Sequence, residues 1–96
     1  MESLSDIKTK AIAGNIRKIR EFRNYTQDYL AAKLEISQNA YSKIELGYSN
    51  ITIRRLINIA EILEIDLAVL INHKVEDIVQ LRTTQELNIR ELREIN

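Results

Sequence analysis

The sequence predicts an all-α protein, a compact five-helix domain with a C-terminal helical extension. Three observations predict it. The 96 residues contain no proline, while alanine, leucine, glutamate, lysine and arginine, the good helix formers, are abundant. Apolar residues recur three and four positions apart instead of alternating. Residues that cap helices stand ahead of these runs, and Asn24 and Gly47, which tolerate a left-handed backbone, follow two of them. A chain this short sustains one core.

The first helix is expected from about Lys8 to Arg23, burying Ile12, Ile16 and Ile19, with Asn24 ending it. Thr26 is a good N-cap for the second, and Tyr25 ahead of it can pack on Leu30. Leu30, Ala31 and Leu34 form its inner face. After a turn at Glu35 and Ile36 the same pattern repeats: Ser37 caps the third helix, Ile36 can pack on Tyr41, Ile44 continues the inner stripe, and Gly47 ends it. Thr52 is the expected cap of a fourth helix carrying Ile53, Leu56, Ile59, Ala60 and Leu63, widened by Ile57 and Ile62. Asp66 is the expected cap of a short fifth helix, with Val69 and Leu70 closing the core. The domain is therefore placed at residues 8–72.

Residues 73–96 read differently. Val75, Ile78, Val79 and Leu81 form one apolar cluster; Leu87, Ile89, Leu92 and Ile95 form a second, beyond Thr83 and Thr84. A partial heptad runs through Ile78, Leu81, Gln85, Asn88, Leu92 and Ile95 with two polar seam positions, a weak coiled coil that needs a second copy or the domain surface. A segment for homodimerisation is the expectation; a helix folded back on its own domain, or a frayed end, is the alternative.

Composition excludes several function classes. Without cysteine there is no disulfide, thiol nucleophile or thiolate metal site, and His73 alone cannot hold a metal. No cofactor is expected. No apolar run is long enough for a membrane span, and residues 1–10 lack the apolar block of a secretory signal, so a cytoplasmic location is expected. Formal net charge is zero, with 14 basic and 14 acidic residues. The cations are nonetheless uneven: Lys8, Lys10, Arg17, Lys18, Arg20 and Arg23 face one acid, Glu21. Such a patch can meet a phosphate backbone, although solvated surface helices carry similar clusters.

The second and third helices, short and joined by a tight turn, suit entry into a major groove. The outward residues of the third are Gln38, Asn39, Ser42 and Lys43. Glutamine can pair with both N7 and N6 of adenine, and lysine can donate to guanine O6 and N7. The same residues would also serve as an ordinary polar surface. Thr26 and Gln27, at the start of the second helix, sit where exposed backbone amides can bind a phosphate. Arg54 and Arg55 open the fourth helix, where either could reach phosphate or face water.

The stretches Ile16–Arg20, Tyr25–Ala31 and Ile36–Gly47, with Leu56, Ile59–Ala60, Leu63 and Leu70, closely resemble the XRE family of lambda-repressor-like, Cro/C1-type helix-turn-helix proteins over roughly residues 11–71. The resemblance implies a five-helix DNA-binding domain of a transcriptional regulator acting on double-stranded DNA, the choice among repressor, antitoxin and general regulator being left open. It implies base reading by Gln38, Asn39, Ser42 and Lys43, a backbone contact by Gln27, and an Arg20–Glu45 pair tying the first helix to the end of the third; Thr26, Arg17, Asn50 and Arg54 are further candidates for backbone contact. The chain departs from the pattern at Asn24, in place of glycine, and at Tyr29, where a glutamate or glutamine would complete a capping box. The loop Tyr48–Ser49–Asn50 lacks the usual proline and extra cations. Two rival readings are a protein-binding module that kept the fold and an enzyme. No nucleophile with an oriented base supports the second. A protein effector or toxin partner is left unspecified.

Overall fold

The computed structural model describes residues 2–48 and 50–72, which form five α-helices: α1 (Leu4–Phe22), α2 (Gln27–Leu34), α3 (Gln38–Glu45), α4 (Ile53–Leu63) and α5 (Leu67–Asn72). The apolar clusters expected at 75–81 and 87–95, His73 and Ser49 lie outside the described residues.

Helices α1 to α4 each begin at a residue whose side chain caps them. The Thr26 hydroxyl accepts from the Tyr29 amide at 3.0 Å, Ser37 from Ala40 at 3.0 Å and Thr52 from Arg55 at 3.1 Å. These bonds satisfy amides that the helix leaves unpaired. Asp66 precedes α5, and its carbonyl accepts from Val69 and Leu70. The start of α1 is corrected from Lys8 to Leu4. Ser3 and Asp6 form a reciprocal capping box there, which carries the helix more than a turn beyond its buried stripe. At α2 the Thr26 bond is not reciprocated; instead the Tyr29 ring lies against Tyr25 with centroids 4.6 Å apart, and the Lys33 ammonium stands 5.6 Å from its centre.

Four helix ends share one stop. Asn24, Glu35, Gly47 and Glu64 are left-handed, with φ of 60°, 59°, 76° and 58°. In each case the following amide, from Tyr25, Ile36, Tyr48 or Ile65, reaches back to a carbonyl five residues earlier at 3.0–3.1 Å. This is the Schellman arrangement, which pairs the last carbonyls of a helix. Tyr25, Ile36 and Ile65 then pack against the core, so one short turn both stops a helix and seats an anchor for the next. Arginines reinforce two of these ends. Arg23 donates to the Leu63 and Glu64 carbonyls at 2.9 and 3.0 Å, and Arg55 to the Leu34 carbonyl at 3.4 Å.

A left-handed conformation costs a side-chain-bearing residue roughly 1–2 kcal/mol, and glycine nothing comparable. Glu35→Gly and Glu64→Gly are each expected to raise stability by about 0.5–1 kcal/mol, after glycine's own entropy cost is deducted. Thermal denaturation checks this; an unchanged or lowered midpoint for both variants would refute the argument.

The core is one cluster to which all five helices contribute, with Ile16, Leu30, Tyr41, Ile59, Leu63 and Leu70 its largest fully buried members. The Asn15 amide, itself buried, donates to the Leu70 carbonyl at 2.9 Å and holds α5 to α1. Ile53, expected on the inner stripe of α4, is 71% exposed; it is the first residue of the helix, and the stripe becomes buried only from Leu56. Ile12 and Ile62 are half-buried, and Ile57 is exposed. Among the described residues no helix is long and apolar enough to cross a membrane.

Candidate nucleic-acid interface

Helix α3 has two opposed faces. Tyr41, Ile44 and Glu45 point inward and are buried. Gln38, Asn39 and Lys43 are exposed and Ser42 is half-exposed. None of these four side chains has a hydrogen bond or ion pair among the described residues, so their donors and acceptors are all unspent. The structure brings them together on one helix, within two turns.

The inner face of α3 is held by a charged network centred on Glu45, whose side chain is only 3% exposed. Arg20 of α1 meets it as a fork, Nε donating to Oε2 at 2.6 Å and Nη2 to Oε1 at 3.0 Å. Its Nη1 donates to the Tyr25 carbonyl at 2.9 Å. Gln27 Nε2 donates to Glu45 Oε1 at 3.1 Å, and the Tyr41 hydroxyl to Oε2 at 2.5 Å. The carboxylate therefore ties together α1, the first residue of α2 and α3 itself. A planar fork fixes direction as well as distance.

The ionisation of these groups follows from that arrangement. Burial pushes the Glu45 carboxyl upward, but the hydrogen bonds from Arg20, Tyr41 and Gln27 outweigh it and hold the group below its ordinary value. Burial, and next the bond to Glu45, push the Tyr41 phenol well up. The bond to Glu45 raises Arg20. All three keep their charge states through neutral pH.

A carboxyl whose folded pKa is depressed stabilises the fold fully above its unfolded value, about 4.3. That contribution is lost as pH falls below about 4.3 and through the lower folded value. Wild type should thus lose stability on acidification in this range more steeply than Glu45→Gln. Urea midpoints measured from pH 5 downward test it, and parallel pH profiles would sink it.

The other expected contact residues have mixed surroundings. Thr26 is exposed at the start of α2, with its oxygen engaged in capping. Gln27 is half-buried against Glu45, leaving its carbonyl oxygen and second N–H free of that bond. Arg54 and Asn50 are exposed. Arg17 is exposed and pairs with Glu21 at 3.4 Å. The cation cluster along α1 is largely spent within the fold: Lys10 pairs with Glu2, Arg17 with Glu21, Arg20 with Glu45, and Arg23 bonds the end of α4. Only Lys8 and Lys18 of the six lack such a partner among the described residues. Arg55, one of the two arginines opening α4, is drawn to the Leu34 carbonyl.

Two members of the Glu45 network, Tyr41 and Gln27, are not apparent from the sequence. Tyr41 lies one helical turn before Glu45, a spacing at which side chains meet; Gln27 carries no comparable signal.

Residues 16–70, more than half of the chain, match the helix-turn-helix family described as HTH_3. The chain belongs to the helix-turn-helix family. Its domain is of the type shared by Cro/C1-like repressors, as the sequence resemblance implies. Helix-turn-helix domains of this family are DNA-binding regulatory modules without catalytic activity. Neither a curated protein nor a solved structure matches the chain significantly. Among the described residues no cluster of three or more His, Asp or Glu side chains could hold a metal ion.

Proposed function

We propose that this helix-turn-helix protein is a sequence-specific transcriptional regulator, a repressor that occupies double-stranded DNA as a homodimer. In this reading residues 8–72 are the DNA-binding domain and residues 73–96 supply dimerisation. Helix α3 enters the major groove, where Gln38, Asn39, Ser42 and Lys43 read base edges. Thr26, Gln27, Arg17, Asn50 and Arg54 contact the phosphates, and the Arg20–Glu45 pair sets the angle of α3. No bond is made or broken; occupancy of the operator excludes polymerase.

The observation that carries this reading is the unspent polar face of α3 opposite a rigidly held inner face. A helix held through Glu45 to Arg20 and Gln27, and by Tyr41 and Ile44 to the core, cannot roll to bury Gln38 or Lys43, so their polar groups remain presented to a partner. One short helix contacts few base pairs, and two copies on half-sites about one helical turn apart supply the missing discrimination. The location that fits this role is the cytoplasm.

Selection of bound duplexes from a random pool tests the proposal. The expected product is a palindromic motif with half-sites about 10 base pairs apart. Recovery of unenriched sequence would overturn base reading, and enrichment of single half-sites alone would overturn the dimer.

A further inference from the structure

The outward face of α3 carries one large apolar side chain among its polar ones. With a turn every 3.6 residues or so, Asn39, Ser42, Lys43 and Leu46 fall within an arc of about 100°, and Leu46 lies between Ser42 and Asn39. Tyr41, Ile44 and Glu45, which are buried, occupy the opposite side. Leu46 keeps this direction because its backbone is still helical, with φ −84° and ψ −9°. Its amide donates to the Ser42 carbonyl at 3.1 Å, and the Tyr48 amide then closes the turn on the Lys43 carbonyl at 3.0 Å. The side chain is 53% exposed.

A lone exposed leucine is ordinary on a protein surface; the place of this one in its turn is not. Helices α2 and α4 end in the same left-handed turn, and there too a leucine stands just ahead of the left-handed residue, Leu34 before Glu35 and Leu63 before Glu64. Both of those leucines are buried in the core. Leu46 holds the same position before Gly47 and points outward. The next residue repeats the contrast: Ile36 and Ile65 pack against the core, whereas Tyr48 is 75% exposed. The core therefore has no use for a large apolar side chain at position 46, and its surface is free for a partner of α3.

We infer that Leu46 is a further base reader, packing against the C5-methyl group of a thymine in the operator. This contact rests on the reading that puts α3 in the major groove. A residue aligned with Asn39, Ser42 and Lys43 then meets the same base edges, one helical turn beyond Ser42. Those edges present hydrogen-bonding groups, and the thymine methyl is the apolar group among them. Leucine has nothing to offer a phosphate or a base donor, so burial against that methyl is the contact its chemistry allows. It separates thymine from cytosine, which lacks the methyl and sets an N4 donor in the groove instead. An apolar side chain over that donor would leave it without water or partner, at a cost. Leu46 thus adds a shape-based preference to the hydrogen-bonding ones of Gln38 and Lys43.

Deoxyuridine removes the methyl from the DNA and leaves the protein untouched. Full-length protein is titrated against the selected operator and against copies in which deoxyuridine replaces thymine at one symmetric pair of positions at a time. Wild type should lose roughly fourfold per half-site at one such position, the worth of a buried methyl group. Leu46→Ala should bind the thymine and uracil operators alike there. No penalty at any thymine, a penalty that persists unchanged in Leu46→Ala, or an enriched operator without thymine would overturn the assignment, while base reading by Gln38 would stand. Equal losses by Leu46→Ala on operator and on unrelated duplex would place the leucine against the sugars, and would overturn it as well. A random pool that yields no enriched sequence would remove base reading by α3 altogether, and the leucine contact with it.

Discussion

Glu45→Ala is expected to cost the domain about 3–5 kcal/mol, the range seen when one partner of a buried ion pair is removed. The substitution strands two groups at once. Arg20, with its side chain 12% exposed, loses both Nε and Nη2 bonds. The Tyr41 hydroxyl, on a fully buried residue, loses its acceptor. A domain of this size has about 4–10 kcal/mol in total, so the variant should lose a third or more of its stability. Thermal and urea denaturation measure the loss directly. A cost below about 1 kcal/mol, the value of an exposed pair, would show that the network is solvated and does not fix α3.

The companion experiment separates stability from geometry. Replacing the set together (Arg20→Met, Tyr41→Phe and Glu45→Leu) removes the stranded charges and should recover much of the lost stability, because apolar groups tolerate this site better than an unpaired ion. Operator affinity should remain depressed in the triple variant. The Gln27–Glu45 bond is gone there, and the fork that set the angle of α3 is gone with it. If affinity recovered along with stability, the network would be a structural convenience and not a positioning device.

How much of this was legible beforehand differs residue by residue. Thr26, Ser37 and Thr52 announce their helices because a hydroxyl before an apolar run has one favourable use. Asn24 and Gly47 announce helix ends because few residues accept positive φ. Glu35 and Glu64 take the same conformation with no such mark; the bonds back from Ile36 and Ile65 force it on them, and a glutamate is as much at home inside a helix. The start of α1 was obscured in a similar way. Ser3 and Asp6 are spaced for a capping box, but no buried stripe stands behind them, so the apolar pattern beginning at Ile12 dominates the reading. Within the candidate site, the polar face of α3 follows from helical spacing alone. The Arg20–Glu45 pair was reachable only through the family resemblance, since 25 residues separate its members. The uneven cations of α1 misled in one respect: sequence counts charges, whereas the fold decides which are already paired.

Gln38→Ala is expected to weaken operator binding by about 1–3 kcal/mol and to relax preference at one base pair of each half-site. Gln38 is the first residue of α3, exposed, and without a hydrogen-bond partner among the described residues. Both its amide N–H groups and its carbonyl oxygen are therefore available, the combination that matches N7 and N6 of adenine in a single plane. The cost should be concentrated in discrimination. Against the operator the variant should lose roughly five- to 150-fold, while its affinity for unrelated duplex should hardly change, because phosphate contacts carry that binding. Lys43→Ala supplies the contrast: a lysine that reads guanine changes base preference, whereas one that meets phosphate lowers the slope of log affinity against log salt by about one. Competition binding against single-position operator variants at several salt concentrations resolves the two roles. Retention of full affinity and full base preference by Gln38→Ala would mean that α3 does not read DNA through its outer face. The rigid inner face would then be presenting that surface to a protein.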